Sequence, residues 1–112
     1  MSAVHYAPRT PLHLLPGPAT LPRDAACVGL IGVFATPSEA ASAIAEIERR
    51  YGVPVVLRAL TQSGDLEEAA RNLFTSLREL DAGDVPLILA APPGGNQGLA
   101  LAIADRLRRA SH

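Results

Sequence analysis

The chain has 112 residues, 48% of them apolar, and a formal net charge of −1, which fits one domain with a single modest core and excludes a disordered, strongly charged polymer. All ten basic residues are arginine, so Schiff-base catalysis and a phosphate-loop lysine are excluded, since both need a primary amine. Acids and bases nearly balance, leaving no broad positive field for nucleic acid.

The longest apolar run, residues 25–35, is well short of the roughly 20 residues a spanning helix needs. The first residues carry no basic region followed by an apolar stretch, as a secretory signal would. A cytoplasmic, membrane-free protein is expected.

The chain opens on Met1, Ser2-Ala3-Val4 and then His5-Tyr6-Ala7-Pro8-Arg9-Thr10-Pro11. Two prolines fix φ and push their predecessors toward extended backbone, so residues 1–11 read as a stiff, non-helical arm with two polar-tipped rings. Residues 12–112 form the domain proper. Leu12-His13-Leu14-Leu15, stopped by Pro16-Gly17-Pro18, predicts a short edge strand, and the stretch to Asp24 a loop. Residues 27–34 are apolar almost throughout and predict a central strand covered on both faces, with Cys27 as a small buried hydrophobe.

Thr36-Pro37-Ser38-Glu39 supplies a cap, a proline at the first helical position and a glutamate at the third. A helix is therefore predicted, its stripe made by Ala40, Ile44, Ile47 and Tyr51 and its end marked by Gly52 before Pro54. Residues 55–60 predict a second buried strand. Asp65 and Glu68 cap the next helix, whose stripe is Leu66, Ala69, Leu73, Leu77 and Leu80, with Gly83 just beyond. Residues 87–90 predict a strand, 92–96 a loop, and 98–110 a helix with Leu99, Ile103 and Leu107 inward. Three strand-then-helix units in succession imply an α/β, Rossmann-like three-layer sandwich, with a mostly parallel sheet and helices on both faces.

In such sheets ligands bind beyond the carboxyl ends of the strands, which points to residues 35–38, 61–65 and 92–98. The last is the richest in glycine and opens onto a helix N-terminus. Gly94, Gly95 and Asn96 are its candidate anion-binding residues, although neither the dinucleotide fingerprint nor the phosphate-loop Lys-Ser/Thr pair is present. A stand-alone small-molecule or nucleotide-binding module built on this loop is the alternative function. Gly29 and Gly32 fit close packing of a helix on the sheet better than approach of a pyrophosphate. No nucleophile and base pair off, and no catalytic residue is assigned. His5, His13 and His112 lack metal-site spacing, and the acids at Glu46, Glu48, Glu67 and Glu68 read as solvated helix faces.

The arm resembles the interdomain linker of the two-domain threonylcarbamoyl-AMP synthases of tRNA modification, in which a Pro-Gly-Met, three residues and His-Tyr-Ala-Pro join the catalytic domain to a smaller C-terminal one. Met1 falls at the place of that methionine. Asn72-Leu73-Phe74 with Leu77-Arg78-Glu79-Leu80-Asp81 resembles the family's second helix. Gly98-Leu99-Ala100-Leu101-Ala102-Ile103 with Arg106-Leu107-Arg108 resembles its last helix, with Ala100 where glycine is usual.

The resemblance implies a C-terminal accessory or regulatory domain of an L-threonylcarbamoyladenylate synthase. Its linker residues His5, Tyr6, Ala7 and Pro8 would face the cleft of a catalytic domain, fused or separate. ATP and magnesium would belong to that catalytic domain, and this chain would be inactive alone and would not bind tRNA directly. The basic residue that the family often places among the three before the histidine is missing from Ser2-Ala3-Val4, so the linker lacks a charge able to meet a phosphate.

Overall fold

The computed structural model of the chain describes residues 8–95 and 98–111. Four strands and three helices follow one another as β1 (Leu12–Leu14), β2 (Val28–Val33), α1 (Pro37–Tyr51), β3 (Val55–Thr61), α2 (Leu66–Ala82), β4 (Ile88–Ala91) and α3 (Gly98–Ala110). All strand pairings are parallel and the order across the sheet is β1-β4-β2-β3. The Rossmann-like sandwich expected from the alternation of strands and helices is the fold observed.

Alternation along each strand sorts the core into two halves. Val28, Leu30, Leu87 and Leu89 point to one face, where they meet Ala40 and Ile47 of α1 and Phe34. Ile31, Leu60, Ile88 and Ala90 point to the other and meet Ala69, Leu73, Leu77 and Leu80 of α2 with Ile103 and Leu107 of α3. A strand apolar at every position is thus what a sheet with helices on both faces demands. β2 is the central strand predicted, paired with β4 on one side and β3 on the other.

The helix boundaries follow their caps. Thr36 Oγ1 accepts from the Glu39 N–H at 3.1 Å, and Glu39 Oε1 accepts in return from the Ala35 N–H at 3.1 Å. The reciprocal bond reaches one residue beyond the cap itself. Gly52 closes α1 with φ 74°, a conformation that costs a residue with a Cβ. Asp65 Oδ1 accepts from the N–H groups of Glu67 and Glu68 at 3.0 and 3.2 Å. On the far side, Arg50 donates to the carbonyls of Pro16 and Pro18, and Tyr51 donates through its hydroxyl to Pro18, pinning the β1–β2 connection onto the end of α1.

Four expectations need correction. β3 is not a buried strand but the sheet's edge, and most of it is half-buried; β-branched composition records the pleat and says little about how many neighbours a strand has. Leu99 is 40% exposed rather than inward, because α3 turns Ala100, Ile103, Ala104, Leu107 and Ala110 to the sheet and leaves Leu99 at the margin of the stripe. Cys27 is only half-buried, packed at the border of the core just ahead of β2.

Gly29 and Gly32 also part company. A Cβ on Gly29 would meet Leu80 of α2 at 3.3 Å, the helix packing expected. On Gly32 it would lie 2.8 Å from Ala91 Cβ and 3.0 Å from the Ala91 carbonyl oxygen, so the neighbouring strand, not a helix, excludes it. Gly32→Ala is therefore expected to destabilise the fold by about 1 to 3 kcal/mol through overpacking, read as a lowered midpoint in urea unfolding.

Candidate functional site

Three donors from the start of the chain converge on one carboxylate. Asp81, in the last turn of α2, accepts from the Thr10 N–H at 2.9 Å and the Thr10 hydroxyl at 2.8 Å through Oδ1, and from the Arg9 N–H at 3.1 Å through Oδ2. Pro8 and Pro11 bracket Arg9 and Thr10, where the backbone bends, and Pro11 disfavours the helical conformation at Thr10. The N–H groups of Arg9 and Thr10 lie outside any helix or strand, and the carboxylate supplies their acceptors as charge-assisted hydrogen bonds. The Pro11 carbonyl then accepts from Ile88 N–H at 2.9 Å, and β1 begins at the next residue. Pro8 itself is buried.

The position of Asp81 makes sense through the arm rather than through the helix that carries it. A helix carries partial negative charge at its C-terminus, so an acid there is disfavoured by roughly 0.3 to 1 kcal/mol. α2 nevertheless ends with Glu79 and Asp81 and has no basic residue in its last turn. Glu79 is answered by Arg58 of β3, Nε to Oε1 at 3.0 Å on the surface. Asp81 is answered by the arm. Sequence reasoning missed this residue as a functional one; an acid at the end of a helix that disfavours negative charge was the available signal.

Of the linker residues singled out from sequence, His5, Tyr6 and Ala7 lie outside the described residues, and Pro8 marks where the described arm starts. The root lies beside the N-terminal ends of β1 and β4. The carboxyl-end loops lie at the opposite edge of the same parallel sheet, so the structure does not bring the arm root and the glycine-rich loop together. Gly94 is exposed with open space around it, Gly95 has φ 97° and Gly98 φ 59°; Asn96 lies outside the described residues.

The other two loops are tied to each other. Gly64 N–H donates to the Phe34 carbonyl at 3.1 Å, and the buried Thr61 hydroxyl accepts from the N–H groups of Ser63 and Asp65 at 3.2 and 3.3 Å. Their polar groups are engaged in holding the turn. His13 stands within β1 opposite Leu89, and among the described residues no three His, Cys, Asp or Glu side chains gather as a metal site would require. A groove of about 700 Å³ runs along α1, floored by Leu15, Pro16, Ala43 and Ile47.

The motifs in α2 and α3 hold the layers together. Asn72 Nδ2 donates to the Leu60 carbonyl at 3.0 Å, fastening α2 to β3. The Arg106 guanidinium of α3 lies 5.1 Å from the ring centre of Phe74 in α2, a stacking contact that joins the two helices. Among the described residues no helix is long and apolar enough to cross a membrane. Compared with models of known protein families, the whole chain, residues 1–112, matches the C-terminal domain of threonylcarbamoyl-AMP synthase. No curated protein matches it.

Proposed function

The chain belongs to the family of threonylcarbamoyl-AMP synthase C-terminal domains, and from that membership we propose that it is an accessory domain whose N-terminal arm covers the active site of the catalytic domain during threonylcarbamoyladenosine synthesis for tRNA. The catalytic domain, fused or separate, carries ATP, magnesium and the reacting groups. This chain contributes the arm and the rigid base from which it leaves.

The observation that supports this reading is the fixed root. An arm that serves only as a spacer gains nothing from three hydrogen bonds to a single carboxylate at its point of departure; an arm that must meet a cleft in one orientation does. Pro8 is buried, and His5, Tyr6 and Ala7, which precede it in sequence, are the residues assigned to the cleft in this reading. Their ring nitrogen and phenol offer hydrogen bonds in place of the missing basic residue.

Adding the chain to the catalytic domain of a synthase of this family, with threonine, bicarbonate and ATP, should change the rate of pyrophosphate release or the apparent affinity for ATP. An unchanged rate and affinity at saturating chain would refute the proposal.

A further inference from the structure

We propose that Asp81 is the positioning residue of the arm: by holding Arg9 and Thr10 it fixes the root of the arm on the domain. The inference rests on the accessory-domain reading and adds the residue through which the domain controls its own arm. Three facts carry it. Both carboxylate oxygens of Asp81 are engaged by Arg9 and Thr10 across 71 and 72 residues of sequence. The carboxylate stands at a helix end that disfavours it, so its presence is not explained by α2. The bonds fall on the last residues before the chain enters β1, where the Ile88 N–H donates to the Pro11 carbonyl at 2.9 Å; the root is therefore tied at Arg9 and Thr10 by Asp81 and at Pro11 by the sheet.

The geometry separates the two oxygens by task. Oδ1 takes both donors of Thr10, and Oδ2 takes the Arg9 N–H one residue further out. Removing the carboxylate frees the whole root. An asparagine of the same shape keeps one acceptor and turns an amide N–H₂ toward a donor, so it frees the root in part. Loss of the acid relieves α2 of an unfavourable charge. A merely local helix role thus predicts a neutral or slightly stabilised domain with no change in the arm.

The Arg9–Thr10 peptide bond is a trypsin site that sits on the anchor, and Arg23–Asp24, in the exposed β1–β2 connection, is an internal reference on the same chain. In Asp81→Ala, cleavage after Arg9 should accelerate about tenfold or more, the change expected for losing even one hydrogen bond to a charged group. Cleavage after Arg23 and the thermal midpoint should stay as in the parent, and Asp81→Asn should fall between. With the catalytic domain present, Asp81→Ala should lose most of the parent chain's effect on pyrophosphate release.

Unchanged cleavage after Arg9 overturns the anchor. Faster cleavage with the full effect on the synthase retained overturns the positioning role. A parent chain without any effect on the synthase overturns the accessory-domain reading, and the cleavage comparison then still decides whether Asp81 holds the arm.

Discussion

Leu30→Ala is expected to destabilise the domain by about 2 to 5 kcal/mol, the range for emptying a fully buried leucine site. Leu30 is 0% exposed in the middle of β2 and points into the half of the core shared with Val28, Leu89 and Ile47. Its neighbours belong to the sheet and to a helix capped at both ends, so the site cannot easily collapse around the missing atoms. The loss compares with a total stability of about 5 to 15 kcal/mol for a small domain. It should appear in urea unfolding as a lower midpoint with an unchanged slope. A shift under about 1 kcal/mol would mean that α1 and the sheet close over the gap.

The second large effect falls on function and not on stability. Replacing His5 and Tyr6 together by alanine should abolish the chain's influence on a catalytic synthase domain while leaving its thermal midpoint within a degree or two. Both residues precede Pro8, and every core residue identified in the described structure lies beyond it. Ahead of Pro8 the two rings are the side chains that offer both an aromatic face and a hydrogen bond. If the doubly substituted chain altered pyrophosphate release as strongly as the parent, the arm would not be the part that meets the cleft.

The elements and their order were legible in the sequence because their signals are local. A Thr-Pro-Ser-Glu start, an aspartate ahead of a leucine stripe and an eight-residue apolar run each act within a few residues. What was not legible depends on neighbours far away in sequence. β3 reads as a buried strand, and only the pairing order shows that, among the described residues, it has β2 on one side and no strand on the other. Leu99 reads as part of the α3 stripe, and only the rotation of α3 against the sheet shows it to be marginal. The reason for glycine at position 32 is the carbonyl and methyl group of Ala91 across the ladder, a contact no periodicity reports.

The site was half legible for the same reason. The arm announces itself through its prolines and rings. Asp81, which holds the arm, lies some seventy residues away inside a motif whose other members fasten layers: Asn72 to the Leu60 carbonyl, Phe74 to Arg106, and Leu73, Leu77 and Leu80 into the core. A motif can thus be mostly structural and still contain one residue that acts on a different part of the chain. The charge rule at helix ends, applied to each acid in turn, would have drawn attention to Glu79 and Asp81, the two acids in the last turn of α2.

The central claim is that this domain meets its catalytic partner through the arm and not through the glycine-rich loop at the other edge of the sheet. Amide hydrogen exchange of the chain, alone and with the catalytic domain, tests it directly. The account predicts new protection confined to the arm, at residues 2–7, with exchange at residues 94–98 unchanged. Protection at residues 94–98 with none in the arm would contradict it.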